Sequence, residues 1–250
     1  MMKKTMLVGM AAFIVAVICA GCATSGTHGE VAENYEKFKE AVAARPPAFV
    51  ATGEKALDDV GILSAQIYGS TIKYLDEYIK ATENNRYYIG FMNDSVELSK
   101  EKKIPMGQAM AEVLKEYREA DAKVEKDEEK VYPRVIEGFR AIEALKPANK
   151  LRELAPIAAQ AAEVALNATK VADIVAKTYS SIDFKDVDGM AKKVAVTAAL
   201  AKVTEQSLFD VRALDFLQDQ YKRNIEMEQY MQDDKADAAK PQESPAKQDK

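Results

Sequence analysis

The chain has 250 residues, 35 of them basic and 40 acidic, for a net charge of −5. An acidic chain with no basic block speaks against nucleic acid, which is held mainly by Lys and Arg on phosphates. Two cysteines and one histidine leave too few ligands and nucleophiles for an imidazole triad, haem attachment or a Glu-x-x-His di-iron site.

Lys3 and Lys4 precede Met6–Ala20, a run with no charged residue. A spanning helix needs ~20 apolar residues, so this run is short for a permanent anchor and has the form of a secretory signal. It ends in Ile18-Cys19-Ala20-Gly21-Cys22. Ala20, Gly21 and Cys22 resemble the lipobox of bacterial lipoproteins, in which Leu, a small residue and Gly or Ala precede the modified cysteine. Cys19 stands where Leu is usual, and bulky Ile18 makes Cys19 itself the poorer candidate. The resemblance implies cleavage between Gly21 and Cys22, a diacylglycerol on the Cys22 thiol and acylation of the new amine. Two or three chains anchor firmly, at ~0.8 kcal/mol per buried methylene. Many Gram-negative lipoproteins are kept in the inner membrane by Asp after the cysteine; Ala23 in that place implies the outer membrane. An uncleaved helix or an ordinary secretory signal is the other reading of this run.

The organisation expected is a signal peptide (1–21), a lipidated cysteine and polar linker (22–30), a helical domain (31–231) and a disordered tail (232–250) rich in Pro, Ala and mixed charge. With Cys22 modified, the processed chain has no thiol for a disulfide, a nucleophile or a metal. The absence of Trp, and 11 Gly and 8 Pro against abundant Ala, Lys and Glu, fit helices.

A first helix is expected over 29–44, with Val31, Tyr35, Phe38 and Val42 on one face and Pro46-Pro47 as its breaker. A second runs to Thr82 with Val60, Leu63, Ile67, Ile72, Leu75 and Ile79 as its buried stripe. Gly53, Gly61 and Gly69 recur every eight residues, but eight residues drift by about 80° around a helix, so each is read separately as a close contact. Residues 84–103 are the least regular stretch. Asn84-Asn85 and Asn93-Asp94-Ser95 bracket Tyr87, Tyr88, Ile89, Gly90, Phe91 and Met92; turn formers on both sides predict a loop, with Asp94 or Ser95 able to cap a short helix running to Lys103. A third helix starts at Pro105 and follows Met106, Met110, Val113, Tyr117, Ala120, Val124, Val131 and Val135, with Pro133 kinking it or splitting it before Ile136, Phe139, Ile142 and Leu145. The charges between Glu112 and Lys130 read as its solvated face.

A fourth helix, from Pro156 to Thr178, carries an alanine seam at Ala158, Ala161, Ala165, Ala168 and Ala172. A matching seam at Ala191, Ala195 and Ala198 opens a fifth, and small seams let helix axes approach to about 8 Å. The two are expected as an antiparallel hairpin. The fold expected is all-α: an elongated antiparallel bundle of about four long helices plus a short N-terminal one.

Such a chain reads as a structural or protein-interaction bundle of the cell envelope, joined to the membrane through Cys22 and to a protein partner through its surface. No cofactor, metal or nucleic acid is expected. Tyr87, Tyr88, Ile89, Phe91 and Met92 form the candidate contact loop, since exposed apolar patches mark partner or membrane contacts; folding back to cap the bundle is the alternative. A membrane-active bundle is the second function. A carboxylate enzyme is the third, and no pair of Asp or Glu stands out for acid–base work.

Overall fold

The computed structural model describes residues 28–44, 49–83, 85–180, 182 and 186–238. The expected signal peptide, Cys22, Pro46-Pro47 and the tail from residue 239 onward lie outside those residues. Seven helices follow in order among the described residues: α1 (His28–Ala43), α2 (Lys55–Thr82), α3 (Arg86–Lys102), α4 (Met106–Asp121), α5 (Tyr132–Glu143), α6 (Pro147–Thr178) and α7 (Val187–Ala238). A short 3-10 turn, Asp127–Glu129, separates α4 from α5, and no described residue is in a strand. The protein is all-α, but its long helices number three rather than four. They have 28, 32 and 52 residues, and α7 alone rises about 78 Å.

Register is set by side chains along the rod. Glu77 and Tyr74 of α2 meet Lys150 and Glu153 of α6 at 2.6 and 3.1 Å, while Glu54, at the foot of α2, accepts from Tyr179, just past α6, at 2.6 Å. α2 and α6 are therefore antiparallel. Glu54 also holds Lys192 of α7 at 2.7 Å, Tyr68 packs on Phe209 at 5.2 Å, and Tyr78 donates to Gln220 at 3.2 Å. Both sequences ascend together, so α2 and α7 run parallel with α6 antiparallel to each. The wholly antiparallel bundle expected is corrected in this pair. α1 descends along α2: Tyr35 bonds Thr82 at 2.9 Å, and Phe38 packs on Phe209 and Phe216.

The expected third helix is broken. The Asp121 carboxylate accepts from the N–H groups of Val131 and Tyr132 at 3.0 and 2.7 Å, which caps α5, and Pro133 sits in the first turn of α5 where a missing N–H costs nothing. Val124 and Val131 thus do not share a helix with Val113. The helix expected from Pro156 begins earlier, at Pro147, with Pro156 inside it. Both Pro156 and Arg152 are exposed, so the Arg152 carbonyl left unbonded faces water. At its far end α7 passes the expected boundary at 231 and continues to Ala238.

The α2 stripe also differs. Of the expected residues Ile67, Leu75 and Ile79 are buried but Leu63 is exposed, and the buried face runs through Leu57, Gly61, Ser64, Ile67, Thr71, Leu75, Tyr78, Ile79 and Thr82. Polarity misleads here because Thr71 satisfies its hydroxyl on its own helix, at Ile67 O, 3.0 Å away. Of the three spaced glycines, Gly61 lies under the Phe49 ring, where a Cβ would come within 2.2 Å. Gly53 takes φ +80 in the turn before α2, and Gly69 faces open space. That turn is fastened by Asp58, which accepts from Thr52 N at 2.7 Å and Gly53 N at 2.9 Å.

Two apolar clusters divide the rod. The larger joins α1 through α5 with the upper parts of α2, α6 and α7, and is rich in rings such as Tyr78, Tyr88, Phe91 and Tyr221. The smaller contains Leu57, Ala168, Val171, Val175, Tyr179, Val196 and Val203, all from α2, α6, α7 or the residue just past α6. The molecule is therefore a broad body on a three-helix stem. On α6 the expected seam is buried at Ala161, Ala165 and Ala168. On α7 it is not: Ala191, Ala195 and Ala198 are exposed, and Val196 and Val203 face inward instead.

Ala165→Leu should accordingly destabilise the protein by about 1–3 kcal/mol, the usual cost of overpacking, while Ala198→Leu should leave the thermal midpoint unchanged. Equal midpoints for the two variants would place the α6 seam in solvent.

Candidate functional site

The proposed contact loop is not a loop. Tyr87 to Met92 form the first turns of α3, and Tyr88, Phe91 and Met92 are fully buried. The reason is spacing: Tyr88, Phe91, Met92, Ser95 and Val96 recur at three and four and make one buried helix face. The aromatic density and flanking asparagines masked that period. Tyr88 sits so close to α5 that a Cβ on Gly138 would come within 2.4 Å of its own. Phe91 packs on the Tyr117 ring at 6.3 Å, and Asn224 of α7 donates to the Tyr88 hydroxyl at 3.4 Å. Burial pushes the Tyr88 phenol up to about 12. Ile89 is half-buried, and Tyr87 lies at the surface of this end, with the guanidinium groups of Arg86 and Arg134 about 5 Å from its ring at 5.1 and 5.2 Å. These side chains close the broad end of the bundle, which is the capping alternative.

The interior carries polar chemistry that pattern reading passed over. Ser64, Tyr68 and Thr71 on α2 lie beside Ser207 and Asp210 on α7, between the two apolar clusters. Ser64, Thr71, Ser207 and Asp210 are each at most 1% exposed. Ser207 satisfies its hydroxyl at Val203 O, 2.7 Å away. The Asp210 carboxyl lies beside Thr71, whose hydroxyl donates to Ile67 O on its own helix. Burial pushes that carboxyl up to about 8, against a smaller lowering by Thr71. Its Oδ1 and the Ser64 hydroxyl have no partner. Burial, then Asp210 and Glu205, also raise the Tyr68 phenol. A sequence signal did exist: Asp210 falls in the stripe Val203, Ser207, Asp210, Leu214, Leu217 and Tyr221, at steps of three and four, where a carboxylate is costly.

Sealed at this depth, Asp210 can store a proton and lock α2 against α7, since a one-turn slip would set it against Ile67 or Leu75. A shallow groove of about 250 Å³ lies on the stem, walled by Phe49, Val50, Ala51, Thr52, Ala195, Ala198, Ala199 and Lys202. Among the described residues no three of His, Cys, Asp and Glu cluster as metal ligands, and no helix is long and apolar enough to cross a membrane. No protein-family model, curated protein or solved structure matches the chain.

The Asp210 carboxyl fixes the sign of a pH effect. A group whose folded pKa is raised stabilises fully below its unfolded value and loses that contribution as pH climbs toward the folded one. Relative to Asp210→Asn, the wild-type thermal midpoint should fall between about pH 5 and about pH 8. A midpoint difference that is flat or rises over that range would mean the carboxyl is ionised in the fold.

Proposed function

We propose that the chain is a lipid-anchored protein of the bacterial outer membrane whose helical bundle serves as a structural and protein-binding element of the cell envelope. The observation that carries this is Ala20-Gly21-Cys22 behind an uncharged run and Lys3-Lys4. Two features of the fold agree with it. α1 starts at His28, so the six residues from Cys22 to Thr27 span at most about 22 Å and keep the domain close to the bilayer. Because α1 descends along α2, its first residue lies at the body end, and the stem then points away from the membrane.

A membrane-active bundle is the second reading, drawing on the apolar side chains exposed on the stem. Dye release from liposomes at protein concentrations that leave the bundle folded separates the two: release favours the second.

Intact-mass measurement of the membrane-extracted protein should show a chain starting at Cys22 with acyl groups attached. Cys22→Ser should abolish both the acylation and the Gly21–Cys22 cleavage. A wild-type mass without acyl chains overturns the anchored reading.

A further inference from the structure

Seven large apolar side chains stand exposed among the described residues: Val50, Ile62, Leu63, Leu166, Ile174, Val187 and Val194. All belong to the stem. Ile62 and Leu63 are in the first third of α2, Leu166 and Ile174 in the last half of α6, and Val187 and Val194 at the start of α7. Parallel α2 and α7 with antiparallel α6 bring these three ends to one level of the rod. The body, which holds the greater part of the core, exposes none. The stem lacks cover because α1, α3, α4 and α5 contribute to the larger cluster alone.

α7 shows the deficit most plainly. From Val194 to Ala201 it has no charged residue, and a helix apolar all round is normally buried all round. Here Val196 is sealed against α6 while Val194 is 64% and Val187 75% exposed. Val187, Ala191, Val194, Ala198 and Ala201 step by four and three along the open side, the spacing of a coiled-coil seam.

We propose that the open α7 side of this stem is a homotypic docking surface, covered by the same side of a second copy in a parallel two-fold pair. Neither end of the processed chain expected under the anchored reading reaches it. Residues 239–250 extend at most about 43 Å, yet Ala238 stands about 55 Å along α7 from Ala201. Cys22–Thr27 extend at most about 22 Å, and His28 lies about 40 Å up the rod from the exposed residues. Charge favours a like partner at this site. Over residues 49–64, 164–179 and 187–203 there are six lysines and five carboxylates, a net of +1, whereas the whole chain carries −5. Copies of an acidic protein repel least where each is close to neutral. The direction of pairing rests on the anchored reading: two copies held in one bilayer present α7 at the same height and in the same sense. In a parallel two-fold pair each seam residue meets its own equivalent.

One stem face, about 24 Å long and about 20 Å wide, offers on the order of 500 Å², less than the ~800 Å² per partner of a standard interface. Confinement to a membrane plane compensates by raising the effective concentration. The test therefore belongs in the membrane. Val194→Cys, expressed in cells and oxidised, should give a disulfide-linked dimer. Glu226→Cys, equally exposed but on the body part of α7, should give at least about tenfold less. Adding Val187→Asp to Val194→Cys should remove the dimer while circular dichroism and the thermal midpoint stay unchanged, since both side chains are in solvent. Equal yields at 194 and 226, a dimer that survives Val187→Asp, or an adduct whose mass is that of another protein each overturn the proposal. Wild-type intact mass reports acylation independently. If Cys22 proves unmodified, the anchored reading fails and the pairing that rests on it falls too, whereas an acylated Cys22 with no Val194→Cys dimer overturns the pairing alone.

Discussion

A helix of 52 residues must find cover along about 78 Å, and the way α7 meets that demand shapes the molecule. α2, with 28 residues, and α6, with 32, accompany only part of it. Where they run beside the start of α7 they make the stem, and no other helix joins the apolar cluster there. Further along, α1 lies across α2 and α7, and α3, α4 and α5 close around the remainder of α7. The parallel α2–α7 pair exists because the chain ascends in α2, spends α3 to α5 at the top, descends in α6 and ascends again. Glu54 then ties the feet of all three long elements through Tyr179 and Lys192.

The two clusters differ in the size of what they bury, and this difference sets their width. In the stem, mostly small and β-branched side chains, Ala168, Val171, Val175, Val196 and Val203, fill the space between the helices. In the body, Tyr78, Tyr88, Phe91, Phe139 and Tyr221 hold the helices apart, which creates room for α3 to α5 to pack inward. Rings also bring hydroxyls that need partners. Tyr78 finds Gln220 and Tyr88 finds Asn224, so α7 carries a second buried stripe of polar residues along its upper half.

Between these regions lies the layer of Ser64, Thr71, Ser207 and Asp210. A neutral carboxyl there costs far less than a charged one, and Asp210 set beside Thr71 favours one register of the α2–α7 pair. An apolar interface of the same shape would tolerate sliding more easily. This feature fits a domain whose exposed stem depends on three helix ends staying level.

Helical period was readable from the chain alone, and with it the all-α class, the Tyr35–Phe38 face of α1, the alanine seam of α6 and the reversal between α6 and α7. Each rests on local spacing, which a helix imposes whatever surrounds it. Residues 88–96 carried the same signal, yet dense aromatics between asparagines resembled a turn-bracketed patch. Tertiary structure decided the rest. Asp121 became a cap because α5 folds back on the end of α4, so a charge that looked solvated gained two backbone donors. Ala191, Ala195 and Ala198 were indistinguishable by type from the α6 alanines, but alanine has little surface of its own to impose an orientation, and the larger Val196 and Val203 turned α7 the other way. Spacing marks which residues share a face of a helix. What lies against that face is set by where the other helices end.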